Sequence, residues 1–524
     1  MTSAPRDRAC CIALAFLLVT CARPQAVKNP QTYRISGVVV NATNDRPLSQ
    51  AHVMVSDSTA GAKPREMTTG ADGKFVFEGV TAGAWTLTAE RKSYGRQSYG
   101  QHAGIGAASS IMTGPDGVSE NLRFRMEVPA AISGKVTDER GEPIAAAGLE
   151  LAVELPGTGN QVLVRKMALT DDQGEYRLWE LPPVPCYLLA IVPHPSPGAP
   201  GESTGFAPQY YRDTTDPRTA TAIALKPGEE FHADFVMRRA QGVSVTLQGD
   251  SGIQGGNSAE MLALLGSGPR GSEVTSAAVV PGQGRTIYNV LPGRYKLVVG
   301  DLASTFATSR WIDVGTEDMT VKLPFSNPPD VTAKVKVVDG ETSALGDATM
   351  RLHLPADAGN NTRPVPADGT VRFPAMAAGL YRITLHAPDL YLKSVTARNA
   401  KVTGGMVELP ESGAVQLDIV ASGDGGRING KVRAGGKPLS GASVVLAPRK
   451  DSPDPDDYRG YISDSDGTFS YTAIRPGEYV LFAVDDWRIN YTDPAAIRSY
   501  LAAGKVVKVE ARQALEVAIE VSRP

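Results

Sequence analysis

Residues 69–89 read Thr-Gly-Ala-Asp-Gly-Lys-Phe-Val-Phe-Glu-Gly-Val-Thr-Ala-Gly-Ala-Trp-Thr-Leu-Thr-Ala, and this stretch decides the fold class. Asp72-Gly73 predicts a tight turn, because Gly tolerates positive φ and Asp can hydrogen-bond its own backbone. Phe75 and Phe77 lie two residues apart, which places both rings on one face of a strand. Gly83 opens a second strand with apolar residues at every other position. The stretch therefore predicts a turn, a strand, a turn and a strand.

The same unit returns four times, starting at Asp172, Gly284, Asp368 and Asp466. The spacing is roughly a hundred residues, the size of one small domain. We therefore predict an all-β chain of about five tandem Greek-key β-sandwich domains. The predicted divisions are a targeting segment at 1–26, a first repeat at 30–129, a second with a loop insertion at 130–240, degenerate third and fourth repeats at 241–327 and 328–422, and a fifth at 423–524.

The aromatic residue near each Asp-Gly turn is predicted to be buried at equivalent places in the five repeats. These residues are Phe75, Tyr176, Tyr288, Phe373 and Phe469. One short helix is predicted, at Asp493–Leu501, because Asp is a good N-cap and Pro suits the first helical position.

Composition narrows the function classes. The 524 residues include 54 Gly and 38 Pro with only 6% aromatic residues, which is typical of short strands joined by many turns. The net charge is −3 and the basic residues are dispersed, so binding to nucleic acid is not expected. No stretch of the mature chain approaches the roughly 20 apolar residues of a transmembrane helix.

The N-terminus is predicted to direct export. Arg6 and Arg8 precede an apolar run at 9–19, which is the pattern of a signal peptide. Cleavage after Ala22 or Ala26 would release a soluble protein. Leu-Val-Thr-Cys at 18–21 also resembles a bacterial lipoprotein box with Cys21 as the acylated residue, although Thr is atypical there. Both alternatives predict an exported protein in the periplasm, at the cell surface or secreted, with a lipid anchor at the outer membrane in the second.

The sequence predicts no catalytic centre, metal site or cofactor. A zinc peptidase needs two His and a carboxylate at fixed spacing, and none of the six His residues has that setting. The acidic turns at Asp451–Asp457 and Asp464–Gly467 lack a complete calcium loop and are predicted to be solvated. Three of the four cysteines lie in the targeting segment, and Cys186 is the fourth. No intrachain disulfide is therefore expected, and the thiol of Cys186 is predicted to be buried.

Four short motifs together resemble a known family. Ile-Ser-Gly-x-Val begins at Ile35, Pro-Leu follows at Pro47, Asp-Gly-x-Phe at Asp72, and Pro-Gly-x-Tyr appears in later repeats, as at Pro476. This set resembles the carboxypeptidase regulatory-like repeat, also described as transthyretin-like, within the carbohydrate-binding-like fold. The resemblance implies a seven-stranded Greek-key sandwich, and the chain looks like a tandem-repeat bacterial envelope protein. Because the motif residues are turn and core residues, they identify a fold and not an activity.

Aromatic clusters in predicted loops are the candidate ligand sites, since sugar-binding sandwiches stack flat rings on pyranose faces. The alternative is that these rings pad domain contacts or cap sandwich ends; in particular, Trp487 would cover the core beneath Asp493–Leu501. The clusters are Tyr94 with Tyr99; Phe206, Tyr210, Tyr211 and Arg212; and Tyr458, Tyr461, Trp487, Arg488 and Tyr491. The third cluster, in the fifth repeat, is the best single candidate for a ligand site.

Three roles fit these features. The first is a structural or adhesive envelope protein that binds glycan or protein, the second a pure spacer or stalk, and the third an accessory subunit of a peptidase or an outer-membrane transporter. An exposed aromatic platform would favour the first role, bare polar sandwich ends the second, and a large exposed apolar patch the third. The sequence names neither the ligand nor the oligomeric state.

Overall fold

The computed structural model describes most of the chain from residue 31 to residue 522. The described part excludes 58–62, 103–104, 155–161, 193–203, 217–218, 250–259, 268–272, 280–284, 302–306, 323–328, 354–361, 374–375, 377, 411, 453 and 455–456. The possible lipidation residue Cys21 and the first part of the predicted insertion therefore lie outside the described residues.

The regular elements of the first two repeats are short strands. The first repeat holds β1 (Tyr33–Asn41), β2 (His52–Asp57), β3 (Arg65–Thr68), β4 (Lys74–Val80), β5 (Gly83–Arg91), β6 (Gly95–Ser98), β7 (Ile111–Thr113) and β8 (Leu122–Met126). The second repeat holds β9 (Ala130–Asp138), β10 (Gly148–Glu154), β11 (Val162–Leu169), β12 (Glu175–Leu181), β13 (Pro185–Ile191), β14 (Thr204–Phe206), β15 (Gln209–Tyr210), β16 (Ile223–Ala224), β17 (Glu230–His232), β18 (Phe235–Met237) and β19 (Arg239–Gln241).

The later repeats follow the same plan. The third holds β20 (Val243–Gln248), β21 (Glu260–Ser267), β22 (Glu273–Val279), β23 (Thr286–Val290), β24 (Gly293–Asp301), β25 (Ala307–Val314) and β26 (Met319–Lys322). The fourth holds β27 (Asp330–Val338), a 3-10 helix (Thr342–Leu345), β28 (Thr349–His353), β29 (Thr362–Pro364), β30 (Thr370–Phe373), β31 (Gly379–His386), β32 (Tyr391–Arg398), β33 (Lys401–Thr403), β34 (Met406–Leu409) and β35 (Ala414–Ser422). The fifth holds β36 (Gly426–Ala434), β37 (Lys437–Pro438), β38 (Ser443–Pro448), β39 (Arg459–Ile462), β40 (Thr468–Ile474), β41 (Gly477–Val484), α1 (Pro494–Ala503), β42 (Lys505–Val509) and β43 (Ala514–Glu520).

The strand pairing confirms the all-β sandwich class. In every repeat the first strand pairs antiparallel with the strand after the Asp-Gly turn or its counterpart, and parallel with a late strand, as β1 pairs with β4 and β8 and β36 with β40 and β43. In the first four repeats the second strand lies in a separate sheet, between the third and fifth strands, as β2 lies between β3 and β5. In the fifth repeat β38 holds this place, between β39 and β41. Among the described strands, each sheet takes all its members from one repeat. The division into five separately folding domains nonetheless stays a prediction.

A glycine faces an aromatic ring in the first and fifth repeats. Gly37 pairs with Phe75, and a Cβ on Gly37 would lie 2.8 Å from the Phe75 ring. Gly430 pairs with Phe469, and a Cβ there would clash with the ring and with the Val517 carbonyl oxygen. The glycine of the Ile-Ser-Gly-x-Val motif therefore makes room for the aromatic ring of the Asp-Gly-x-Phe motif.

The degenerate repeats change both members of this pair. In the fourth repeat Ala333 pairs with Val371, and in the third Val245 pairs with Ile287. A larger residue on the first strand thus accompanies a smaller one on its neighbour, which conserves the volume of the core.

Two of the five predicted aromatic equivalences are wrong. Tyr288 is 41% exposed, and Ile287 is the buried residue of its strand. Phe373 is buried, but it lies two residues beyond Val371 and so takes the place of Phe77 rather than Phe75. The missing aromatic in these repeats follows from their larger first-strand residue.

The predicted helix is confirmed, with slightly different bounds. Pro494 opens α1, and the side chain of Asp493 accepts a hydrogen bond from the backbone N–H of Ala495 at 2.9 Å. Ile497 is fully buried, and Tyr500 stacks on Phe482 at 5.5 Å between ring centroids. The helix therefore covers the outer face of the β38–β41 sheet.

The thiol of Cys186 lies in the core of the second repeat, as predicted. Its side chain is fully buried, and burial raises its pKa to about 12. The reactive thiolate is therefore scarce at neutral pH.

Candidate functional site

The five candidate residues of the fifth repeat separate into core and interface residues. Tyr458 is 5% exposed and packs with Ile489 and Ile497 beneath α1, and its hydroxyl accepts a hydrogen bond from the N–H of Ser452 at 3.3 Å. Arg488 is exposed, and its backbone N–H donates to Asp486. Tyr458 is therefore a core residue rather than an open binding surface.

Trp487 lies where three repeats meet. Its ring stacks on His102 of the first repeat, with centroids 5.3 Å apart and planes 3° from parallel. It also packs against the core of the second repeat, which Ile105 of the first repeat joins as a buried member. Trp487 therefore covers the core of the second repeat and not, as expected, the core beneath Asp493–Leu501. Its stacking partner His102 comes from a distant part of the chain.

A small cavity lies beside this stack. Tyr461, Trp487 and Tyr491 line it together with His102 and other groups of the first repeat, and its volume is about 130 Å³. Three of the five predicted residues therefore converge, while Tyr458 and Arg488 do not line this cavity.

The Tyr461 hydroxyl is held in place at this cavity. It donates a hydrogen bond to Asp464 Oδ2 at 3.1 Å. Burial, with the nearby Asp464 charge, raises the pKa of Tyr461 above its usual value, so the phenol stays protonated and acts as a donor. The ring also packs edge-on against Tyr471 at 6.0 Å.

The turn Asp464–Gly467 docks on the first repeat; we call this the first–fifth contact. Ser110 N–H donates to Asp464 Oδ1 at 3.1 Å, and Ser465 N–H donates to the Ser110 carbonyl at 2.9 Å. The Ser465 hydroxyl accepts from Met112 N–H at 2.9 Å and donates to the Val118 carbonyl at 2.6 Å. Four hydrogen bonds therefore join segments more than 340 residues apart.

This turn is buried, so its prediction as a solvated acidic turn is wrong. Asp464, Ser465 and Asp466 are 7%, 6% and 5% exposed. The corresponding turn residues Asp72 and Asp172 of the first two repeats are exposed. The sequence pattern alone is the same in each case, and only docking on the first repeat removes the fifth turn from water.

A wider cleft separates the fourth and fifth repeats. Its volume is about 680 Å³, and Tyr458, Tyr491, Tyr391 and Arg475 are among its lining residues. Arg475 bridges the two repeats, since its guanidinium donates to the Leu392 carbonyl at 2.7 Å. Arg475 also lies 3.6 Å from Asp457, and Tyr391 donates to Asp424 at 2.8 Å. Arg475 and Tyr391 at this cleft are thus engaged within the protein.

The candidates of the second repeat mostly pack on its own core. Tyr211 packs edge-on against Phe231 at 5.6 Å and lies 6.0 Å from the Arg212 guanidinium, which is exposed. Phe206 lies under Arg239 at 5.2 Å. Tyr210 is 4% exposed, and its hydroxyl has no hydrogen-bond partner among the described residues. These rings form no exposed platform.

The first repeat combines the Asp-Gly turn, the glycine–aromatic pair and the two-sheet pairing. Residues 34–127 match the family model of the carboxypeptidase regulatory-like domain. The match confirms the resemblance for this segment, which is under a fifth of the chain.

Other comparisons add little. No curated protein matches the chain at a significant level. Solved structures similar to the chain include the TIE protein of Bacillus anthracis, at 8% identity over 95% of this chain and 75% of that chain with a TM-score of 0.18. The shaft pilin SpaA of Lactobacillus rhamnosus GG matches at 9% identity over 40% and 98%, with a TM-score of 0.20. The minor pilin of Streptococcus agalactiae matches at 12% over 40% and 96%, with a TM-score of 0.21. Likenesses this weak carry no argument about function.

The carboxypeptidase regulatory-like domain supplies much of the junction. His102 and Ile105 come from one of its loops, and Ser110 and Met112 lie at its strand β7. Of its predicted ring candidates, Tyr94 accepts a hydrogen bond from Asn41 at 2.9 Å within the domain. Tyr99 packs edge-on against Phe124 at 5.9 Å, and its hydroxyl also hydrogen-bonds Ser440 of the fifth repeat. The domain therefore acts here as a docking partner for the fifth repeat.

Sequence reasoning missed two exposed tryptophans. Trp179 is 55% exposed and Trp311 is 43% exposed. Trp311 alternates with the buried Ile312 in β25, so the period-two pattern already points it outward. Trp179 lies at a register shift between Leu178 and Leu181, which hides its direction from the pattern.

The described residues contain no group of three or more His, Cys, Asp or Glu side chains that could hold a metal ion. In the same part of the chain, no helix has the length and apolar character needed to cross a membrane.

Proposed function

We propose that this chain is a non-catalytic, exported array of five β-sandwich domains with a structural or adhesive role at the bacterial cell envelope. Export rests on the predicted N-terminal signal. The intact mass of the product from its native host distinguishes the alternatives: a start at Cys21 with added acyl mass indicates a lipoprotein, and a start at Arg23 or Val27 indicates a soluble exported protein. Retention of Met1 contradicts both.

The first–fifth contact carries the proposal. A spacer gains its reach from domains arranged end to end, whereas here the first and last repeats are bonded directly to each other. The buried Asp464–Gly467 turn, whose counterparts in the first two repeats are exposed, supports a specific interface. The rings of Trp487 and His102 stack on each other at this junction. The geometry therefore favours a closed scaffold over an extended stalk.

Solution scattering of the mature chain tests this proposal. A domain of about 100 residues has a radius of gyration of about 13 Å. Five such domains in a line would give about 50 Å, whereas a closed arrangement would give roughly 25–32 Å. We expect a value in the lower range. A value near that of the line would contradict the closed scaffold and restore the stalk.

Glycan binding is a second, finer proposal, favoured by Tyr461 and Tyr491, which line the cavity beside the stacked rings of Trp487 and His102. Each ring that stacks on a sugar would add about 0.5–1.5 kcal/mol beyond area burial, so the affinity is expected to be weak. Display of the mature chain on a glycan array should give signals that Tyr461→Ala reduces. Arg212→Ala, at an exposed site outside this cavity, is the matched control. Signals that Tyr461→Ala leaves unchanged would exclude this cavity.

A further inference from the structure

An exposed apolar strip lies along the open side of the second repeat. Met167 and Leu169 of β11 are 66% and 67% exposed, and Trp179 of β12 is 55% exposed. β11 and β12 are each the outermost described strand of their sheet. Lys166 of β11 lies 5.5 Å from the Trp179 ring and 3.8 Å from Glu180, so it links the β11 edge to the β12 edge. These three are the most exposed large apolar side chains among the described residues.

The first repeat provides the comparison. Thr69 and Thr170 hold the same place, because each hydroxyl donates to a carbonyl just before the second strand. When the two repeats are aligned on these threonines and on the Asp-Gly turns, Met167, Leu169 and Trp179 fall at the same positions as three polar residues of the first repeat. These residues are Glu66, Thr68 and Glu78. A sibling sandwich thus forms without these apolar groups, and its charged edge discourages strand addition.

The fifth repeat shows the same edge in use. Its matching residues are Gly460, Ile462 and Thr472. Tyr491 of the same repeat packs against Gly460, and the Thr472 hydroxyl donates to the Pro388 carbonyl of the fourth repeat at 3.3 Å. This edge is therefore a sandwich–sandwich interface elsewhere in the molecule. In the second repeat this edge is not charged, as it is in the first repeat, and it is not covered, as it is in the fifth repeat.

The backbone of β11 offers unpaired groups at the strip. Thr170 N–H donates to the Ala147 carbonyl, and its own carbonyl accepts from Ala146, so both face β10. Alternation along an antiparallel strand turns the backbone groups of Met167 and Leu169 to the other side. No described strand pairs with that side.

We propose that a second copy of this chain pairs with β11 across a two-fold axis. Antiparallel pairing centred on Ala168 sets Met167 opposite Leu169 of the partner subunit, and these are the residues whose backbone groups point outward. The two β12 edges then face each other with the Trp179 rings between them. The rim carries both Lys166 and Glu180, so a two-fold copy is its own charge complement.

The oligomeric state of the full mature chain tests this proposal. Sedimentation between about 1 and 100 µM should show a monomer–dimer equilibrium, with a dissociation constant in the micromolar range. Met167→Pro removes an N–H that only the partner would use, and edge strands tolerate Pro at such positions. Leu169→Lys places a charge in the strip. Each should weaken dimerisation at least about tenfold without lowering the melting temperature by more than a few degrees.

Thr68→Lys is the matched control, since it places the same charge at the corresponding position of the first repeat. This variant should dimerise like the wild type. A wild-type chain that stays monomeric at about 100 µM, or a dimer that survives both Met167→Pro and Leu169→Lys, overturns the proposal. Binding of a foreign extended peptide to β11 of a monomeric chain would also overturn it, because the occupant would then not be a second copy.

Discussion

Truncation of Phe469 to Ala is expected to destabilise the fifth repeat by about 3–5 kcal/mol, because it empties a fully enclosed site. The ring is 2% exposed and fills the space that Gly430 leaves. Hydrogen exchange followed by mass spectrometry on the full chain should show lost protection in β36 and β40. Protection in the third repeat should be unchanged, since no described strand pairs across repeats. Equal losses in all five repeats would contradict independent domains.

The partner substitution supplies the control for this result. Gly430→Ala places a Cβ against the ring and the Val517 carbonyl, and overpacking of this kind costs about 1–3 kcal/mol. The double variant Gly430→Ala with Phe469→Val copies the Ala333–Val371 pair of the fourth repeat. Its cost should be smaller than the sum of the costs of Gly430→Ala and Phe469→Val made singly, because the smaller side chain relieves the clash with the ring. Additive costs would mean that the two positions do not share space.

The architecture could be predicted because its determinants are local. An Asp-Gly turn and a period-two pattern act over fewer than ten residues, and each is repeated. The same locality explains the errors on Tyr288 and Phe373. A single repeat does not reveal that Val245 or Ala333 replaces the first-strand glycine, and this residue decides what fits opposite.

The junction could not be predicted in the same way. Ser465 bonds to Ser110 and Met112, and Trp487 stacks on His102, across sequence separations of more than 340 residues. The residues near Trp487 do resemble a binding loop, but nothing in their spacing shows that another repeat covers them. A cluster of rings in a loop is therefore ambiguous until the neighbouring domains are placed.

Opening of the first–fifth contact is the second expected result. Ser465→Ala removes two hydrogen bonds, each contributing about 0.5–1.5 kcal/mol. Trp487→Ala removes the ring stack, which contributes about 0.5–1.5 kcal/mol beyond its buried area. The double variant should weaken the contact by about 2–4 kcal/mol, and the radius of gyration should rise from the closed range towards about 50 Å.

The contact should also respond to pH. Burial raises the pKa of Asp464, while hydrogen bonds from Ser110 and Tyr461 oppose the rise. The charge of Asp466, which lies 3.7 Å from Lys431, adds to the rise in the pKa of Asp464. Because the docked state favours the protonated carboxyl, the contact is most stable below the ordinary Asp range and weakens as pH rises through the raised pKa. Asp464→Asn keeps the acceptor for Ser110 and should remove this dependence.

Asp172→Ala is the matched control for the double variant, because Asp172 holds the place of Ser465 in the exposed turn of the second repeat. It should leave the scattering curve unchanged. Hydrogen exchange at residues 110–118 should rise in the double variant alone, since their backbone groups lose their partners across the contact. The cores of the first and fifth repeats should keep their protection, because neither Ser465 nor Trp487 belongs to them. If the radius of gyration and the exchange at 110–118 both stay at their wild-type values, the contact does not hold the array closed, and the scaffold proposal fails with it.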